Sequence, residues 1–280
     1  MRIMVTGAGG QLGRALVRAA REAGHEVAGF SHAELDIGDL PSVSRALSLA
    51  RPEVLVNCAA YNEVDRAETD WEGAFLVNAV GVKNLAMAAS EMGALMMHFS
   101  TDYVFRGDLG RPYTISDVPD PINAYGQSKL LGEEMLREVA ARHFLVRTSW
   151  VFGRGKSSFP LKLRAWAAER DVLRVVQDQV SRPTYAVDLA EATLGLLARG
   201  EPGTYHVTNS GYCSRYEWAC HILSRLGWKG RVEPARSAEF KTAAERPAFS
   251  VLDTYPVEHV LGKALPSWQD ATDRFLKELG

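Results

Sequence analysis

The chain has 280 residues, 46% of them hydrophobic, with three cysteines and 32 basic against 34 acidic side chains, a net charge of −2. That is ample apolar material for a core in one large domain or two small ones, and the balanced charge, with no dense Lys/Arg tract, excludes nucleic acid and anionic membrane as expected partners. Cys58, Cys213 and Cys220 form no CxxC pair, so reduced thiols in a cytoplasmic protein are expected, with no metal site; there is no signal-peptide pattern at the start and no apolar run near the roughly 20 residues a membrane helix needs.

In chain order, "RIMV" (Arg2 to Val5) reads as a strand. Leu12, Ala15, Leu16, Ala19, Ala20 and Ala23 then recur at helical spacing, and Gly24 closes that helix. "HEVAGF" is a second strand, a helix follows Pro41, and "EVLVNCAA" (Glu53 to Ala60) is a buried strand. The pattern from Trp71 to Met92 predicts one helix stopped by Gly93; "ALMMHFS" is another buried strand. A helix from about Asn123 to Ala141 and the strand "HFLVRTS" complete the series. Apolar strands alternating with amphipathic helices predict an α/β fold, a doubly wound, Rossmann-like parallel sheet. Residues 1–150 are expected to form a dinucleotide-binding domain. After Trp150, frequent Gly and Pro break the pattern into short elements. Residues 151–280 are expected to form mainly a smaller substrate-binding lobe, with a soft boundary at which the chain can cross back.

"VTGAGGQLG" places Gly7, Gly10 and Gly13 directly after a strand and at the start of a helix. Gly7 suits a tight turn, Gly10 lets a pyrophosphate approach the backbone, and Gly13 permits close helix–strand packing. Gln11 and Leu12 belong to the same loop. An acid is sought about 20 residues on, to hold the adenosine ribose. Ser31 and His32 stand there instead. A Ser and a His tolerate a ribose phosphate that a carboxylate would repel, so NADPH is expected at least as readily as NADH. Asp36 and Ile37 are placed near the adenine, and Cys58, Ala59, Ala60 and Tyr61 along the pyrophosphate and ribose.

"PINAYGQSKLLGEE" carries Tyr125 and Lys129, four apart on one helix face. A phenol with a pKa of about 10 needs help to exchange a proton at neutral pH. An ammonium one turn away favours the phenolate. Thr101, at the end of "ALMMHFST", lies where ligands sit in a doubly wound sheet and can hold a substrate oxygen.

This combination of TGxxGxxG, a strand-end hydroxyl and YxxxK resembles the extended short-chain dehydrogenase/reductases. More closely, the sequence resembles the dTDP-4-dehydrorhamnose reductase family. The resemblance runs through "TGAGGQLG" (6–13), "NCAAYNEVDRAE" (57–68), "VNAVGVKNLA" (77–86), "STDYVF" (100–105), "AYGQSKLLGE" (124–133), "VRTSWVFG" (146–153), "DQVSRPTYAVDLA" (178–190) and "RPAFSVLD" (246–253). It implies NAD(P)H-dependent reduction of the C4 ketone of a dTDP-bound 6-deoxyhexose, yielding dTDP-L-rhamnose for cell-wall polysaccharide. It also implies that Thr101, Tyr125 and Lys129 form the catalytic group, with Lys129 also on the cofactor ribose. Tyr103 and Trp150 match positions that border the sugar; Gln179 to Thr184 match the nucleotide side, with Arg182 as a phosphate ligand. A homodimer is the assembly to test, and the residues give no indication for or against Mg2+.

Three departures stand out: Arg106 replaces the family's Asp in "VFDG", Ser181 its glycine, and the acid after the second strand is missing. A dehydratase on this fold would read "TDE"; here Tyr103 replaces the glutamate, a poor base without its own lysine. A reductase of another dTDP-4-keto-6-deoxy sugar and a non-catalytic subunit resembling the methionine adenosyltransferase β subunit remain as alternatives. Simpler roles are assigned to the rest: His98 as a satisfied core histidine, Asp65 and Glu68 as caps or surface charges, Asp102 as an acid supporting the sugar site or, the preferred reading, a turn residue, and Trp166, Trp218, Trp228 and Trp268 as packing residues.

Overall fold

The computed structural model describes residues 1–155 and 158–279. In the first half the chain forms β1 (Arg2–Thr6), α1 (Gln11–Glu22), β2 (Glu26–Phe30), α2 (Leu40–Ala50), β3 (Val54–Asn57), α3 (Val64–Ala67), α4 (Trp71–Phe75), α5 (Gly81–Glu91), β4 (Leu95–Thr101), α6 (Ala124–Val139) and β5 (His143–Thr148). Then follow β6 (Val151–Phe152), α7 (Phe159–Glu169), β7 (Val172–Val176), β8 (Val180–Ser181), β9 (Thr184–Tyr185), α8 (Ala186–Arg199), β10 (Gly203–His206), β11 (Cys213–Ser214), α9 (Arg215–Arg225), β12 (Arg231–Ala235), α10 (Tyr255–Leu261) and α11 (Trp268–Glu278). No helix among these residues is long and apolar enough to cross a membrane.

Six strands form one parallel sheet in the order β10-β5-β4-β3-β1-β2. Successive side chains on each central strand point to opposite faces. Ile3, Val5, Val54, Val56, Met97, Phe99, Phe144 and Val146 therefore enter one apolar cluster, while Met4, Leu55, Met96 and Leu145 enter the other. Helices α2, α5 and α6 close the second cluster. Helices α1 and α8 close the first, so residues 186–206 return to the large sheet and supply a helix and its edge strand. A third cluster, around Phe152, Tyr185, Trp218 and Phe275, is the core of the second lobe.

Two sequence expectations change here. The strand drawn over Glu53–Ala60 stops at Asn57, whose Oδ1 accepts the Ala59 N–H at 3.0 Å and turns the chain. The helix drawn over Trp71–Met92 contains a π turn at Leu76–Val80. That turn carries buried Asn78, whose amide grips both backbone groups of Tyr61 and accompanies Ser128 of α6. Beyond Trp150, the segment read as short elements holds four helices of 11 to 14 residues.

Helix α6 is fixed at both ends. Asn123 caps it by accepting the Gly126 N–H at 2.7 Å, and Glu68 accepts the Ala124 N–H at 2.9 Å. Near its last turns, Glu133 receives two bonds from Arg147 of β5, at 2.9 and 2.7 Å. Burial alone would raise the Glu133 carboxyl, but the Arg147 guanidinium overrides it and holds the group below its usual range. Removing one partner strands the other charge in the core. Glu133→Ala is therefore expected to cost about 3–5 kcal/mol in urea unfolding, whereas Arg106→Ala, which breaks the exposed Arg106–Asp120 pair, should stay within about 1 kcal/mol. Equal effects for the two variants would contradict the assignment of Glu133 as a buried anchor.

Candidate active site

β1 ends at Thr6, and the chain reverses through Gly7, which has a φ of +65°. A Cβ on Gly13 would stand 2.3 Å from the Gly7 carbonyl oxygen, so only glycine lets α1 lie so close to the loop. Gly10 is the N-cap of this 12-residue helix and provides no side-chain cap, which leaves first-turn N–H groups for a ligand. Gly10, Gln11, Leu12 and Gly13 form one wall of a cavity of about 670 Å3; Cys58, Ala59 and Ala60 form another. Thr101, Tyr125 and Lys129 line it as well.

The other cofactor-side candidates lie off this wall. Tyr61 is clamped through its backbone by Asn78 and through its hydroxyl by Asp70. Asp36 accepts the Gly38 N–H, Ile37 is buried in the core, and His32 is exposed. Ser31 stands beside the loop, its Cβ 3.7 Å from where a Gly9 side chain would begin. The end of β2 is not without an acid, as the sequence suggested. Glu34 folds back, and its Oε2 accepts both the Ser31 N–H at 2.8 Å and the Ser31 hydroxyl at 2.7 Å. The expected spacing missed it because the carboxylate arrives from three residues further along.

Around the proton-transfer group, the Tyr125 hydroxyl donates to Asn62 Oδ1 at 3.3 Å, and its ring meets Tyr103 edge-on at 5.9 Å. Burial raises the Tyr125 phenol well above its usual value; the neighbouring Thr101 hydroxyl opposes this. The helical spacing predicted the Lys129 ammonium as the group that lowers Tyr125. Instead its Nζ is drawn to β4, donating to the Phe99 carbonyl at 2.7 Å with His98 Nε2 at 3.4 Å. Burial pulls Lys129 down to about 8.

Asp102 is no mere turn residue. It is 2% exposed, takes a bond from Thr101 at 3.1 Å, and accepts the hydroxyls of Ser181 at 3.0 Å and Ser250 at 2.5 Å. Burial raises its carboxyl to about 6 against those three bonds. The departure at Ser181 thus supplies a hydroxyl that a glycine could not. Asp65 is likewise more than a surface charge, since it holds Arg246 at 2.6 Å across the lobes; Glu68 is the cap that the sequence assigned.

A second cavity, about 850 Å3, opens against the first, and the two share Trp150, Val151, Lys162 and Arg246. Trp150 has a φ of +42°, unusual for a bulky residue. Its ring is held by the Arg215 guanidinium at 3.5 Å and stacks on Trp218 at 5.9 Å. Tyr103 is buried beside Arg215 and Arg246, both within hydrogen-bonding reach. Gln179 lines the second cavity; Arg182 does not, and its Nη1 donates to Thr254 at 2.9 Å while its Nε is buried without a partner. Trp166, read as packing, is 38% exposed and lines the same cavity, while Trp218 and Trp268 are core and Trp228 is half-buried. Arg246, Arg215, Lys162 and Asn62 were missed as site residues. Arg246 and Asn62 lay inside stretches already singled out, in "RPAFSVLD" and "NCAAYNEVDRAE"; Arg215 and Lys162 carried no local pattern.

A model of the RmlD substrate binding domain matches residues 1–280. The chain is 39% identical over 277 residues to the spore coat polysaccharide biosynthesis protein SpsK of Bacillus subtilis (strain 168), covering 99% of this chain and 97% of that protein. It is 39% identical over 274 residues to a dTDP-4-dehydrorhamnose reductase of Mycolicibacterium smegmatis, covering 96% and 83%. Among solved structures, the dTDP-4-dehydrorhamnose reductase of Bacillus anthracis in complex with NADP superposes with a TM-score of 0.95 at 37% identity, covering 99% of each chain.

The buried Asp102 carboxyl has a testable signature. Its value in the fold, about 6, lies above the ordinary 3.8. Such a group stabilises fully below the lower value and loses that contribution as pH rises through the upper one. Asp102→Asn should therefore gain on the wild type as pH climbs from about 4 to 7, by up to about 3 kcal/mol, and no further above it. Denaturant midpoints at stepped pH read this difference; a gap that shrinks with pH would contradict the assignment.

Proposed function

The chain belongs to the RmlD family, and from that membership we propose that it reduces the C4 ketone of dTDP-4-dehydro-6-deoxy-L-mannose, that is dTDP-4-dehydrorhamnose, to dTDP-L-rhamnose. It is an oxidoreductase that uses a nicotinamide cofactor. The observation that carries the reading is a pair of adjoining cavities, the first of which is lined by Thr101, Tyr125 and Lys129. One is built on a glycine loop and an uncapped helix N-terminus; the other brings Lys162, Arg174, Arg215 and Arg246 to a wall that suits a diphosphate. The Thr148 hydroxyl, buried on the first cavity without a partner, is a further polar group free for a ligand. These residues fit a dinucleotide.

The reduced nicotinamide, when bound, supplies the hydride. Tyr125 supplies the proton. Its burial keeps the phenol protonated at neutral pH, the form needed by a group that gives a proton to a developing alkoxide. Thr101 holds the ketone oxygen, and Lys129 holds the ribose. Tyr103 and Trp150 border the sugar; Gln179 faces the nucleotide. Arg182 positions Thr254 in this arrangement and is not assigned to the phosphates. Residues 151–280 act mainly as the substrate lobe. Dehydration would require a base beside Asp102, and the residue there is Tyr103, raised by burial.

For the cofactor we favour NADPH used at least as well as NADH. The Ser31 N–H and hydroxyl are a pair of donors suited to a 2′-phosphate, and the Glu34 carboxylate that now takes them is exposed. Wild-type kcat/KM is expected to be at least as high with NADPH, and Glu34→Gln should raise the NADPH-to-NADH ratio several-fold. A clear wild-type preference for NADH overturns this.

Tyr125→Phe should lower kcat by about 100- to 10,000-fold while NADPH still binds; near wild-type turnover would mean another proton donor. Incubation with dTDP-4-dehydrorhamnose and NADPH, followed by NMR of the product, tests the reaction itself. Formation of dTDP-L-rhamnose supports it. A poor rate there with a good rate on another dTDP-4-keto-6-deoxy sugar moves the enzyme to that sugar, and cofactor binding without any turnover favours a non-catalytic subunit.

A further inference from the structure

A buried chain of hydrogen bonds runs from the glycine-loop strand to Lys129. Thr6 donates to Asn57 Oδ1 at 2.6 Å, and the Ala59 N–H donates to the same oxygen at 3.0 Å. A backbone N–H can only donate, so the oxygen end of this amide is identified by its neighbours. The nitrogen end therefore faces His98 Nδ1, at 3.0 Å. An amide NH2 only donates, so Nδ1 carries the lone pair and the ring proton sits on Nε2. That Nε2–H points at Lys129 Nζ, 3.4 Å away, while Nζ donates to the Phe99 carbonyl.

An ammonium has three donors and no lone pair; it cannot accept the Nε2–H. A neutral amine can. A charged imidazole is excluded as an alternative, because Nδ1 would then turn a proton on the Asn57 NH2. His98 is 0% exposed, and burial, the largest influence on it, holds it well below its usual value. The groups that face Lys129 from each side are His98 of β4, Cys58 after β3, and Tyr125 and Glu133 of its own helix. Burial is the largest influence on it; Glu133 and Cys58 oppose it, and Glu133 is already taken by Arg147.

We propose that His98 is a positioning residue that biases Lys129 toward the neutral amine, so that engagement of Lys129 by the cofactor draws one proton from solvent onto Nζ. The His98 Nε2–H···Nζ bond breaks as the lone pair takes the proton. The new ammonium donates to ribose oxygens, and its charge is favoured by the approaching phosphates. On release the proton returns to solvent and the bond reforms. The proposal rests on the reading of Lys129 as the residue that holds the cofactor ribose.

Calorimetric titration of NADH into the protein, in buffers of low and high ionisation heat, counts the protons taken up. Uptake should be near zero two pH units below the Lys129 value of about 8 and approach one proton per site above it. In His98→Gln, whose amide can turn its oxygen toward an ammonium, uptake above that pH should fall by at least about half. The affinity for NADH should also lose most of its pH dependence. Nitrogen-15 NMR of the wild type should find His98 protonated on Nε2.

NADH binding with no proton uptake at any pH overturns the proposal and leaves the cofactor site standing. Failure of NADH and NADPH to bind overturns the site and the proposal together. An Nδ1-protonated His98 in the wild type overturns it even where the variant does not fold. Uptake in His98→Gln equal to that of the wild type assigns the effect to burial alone and removes His98 from it.

Discussion

The buried pair between Glu133 and Arg147 is the constraint on which the site depends. Tyr125, Lys129 and Glu133 follow one another at intervals of four residues, so they share one face of α6. The pair ties the far end of that face to β5, next to the strand that carries Thr101. Asn123 and Glu68 tie the near end. With both ends held, the helix cannot rotate, and the phenol and the amine between them stand at a fixed angle to the sheet edge. A buried ion pair is a costly way to gain stability. Its value here is geometric, because it sets the register of a helix against a strand.

The polar network around Asp102 serves the same end from the other side. Its three hydroxyl donors come from Thr101 at the end of β4, Ser181 in β8 and Ser250 near the C-terminal segment. The carboxylate thus joins parts of the chain far apart in sequence. Arg246 with Asp65 makes a second join of this kind. Together they tell why the lobes meet at a defined distance, as two substrates that must approach within bonding contact require.

The strands, the helices around them and the glycine turn were legible because each rests on a local pattern. Continuous apolar runs mean a sheet covered on both faces, and three glycines between a strand and a helix mean a turn that must lie close to something. That Thr101, Tyr125 and Lys129 would come together at one cavity was legible for the same reason. What escaped was decided by distant parts of the chain. The Lys129 amine follows the Phe99 carbonyl and not the phenol one turn away, and spacing along a helix carries no news of that carbonyl. Arg182 sits in a suggestive motif, yet Thr254, 72 residues on, takes one of its Nη1 donors. The π turn at Leu76–Val80 shows no break in periodicity, only Asn78 placed where a buried amide is needed.

The return of the chain to the large sheet has a consequence for how the molecule is made. Strand β5 pairs with β4 on one side and with β10 on the other, and β10 begins only at Gly203. During synthesis, β5 emerges well before its second neighbour and shows an unpaired edge, the kind that invites pairing with other chains. Helix α8, which covers Leu16 and Ala20 of α1, is late for the same reason. The first half of the chain is therefore no independent folding unit. A ribosome-bound fragment ending near residue 150 would have the glycine loop, Thr101, Tyr125 and Lys129, but half of one face of its sheet would be bare, which makes this nascent stage the point at which chaperone attention is most needed.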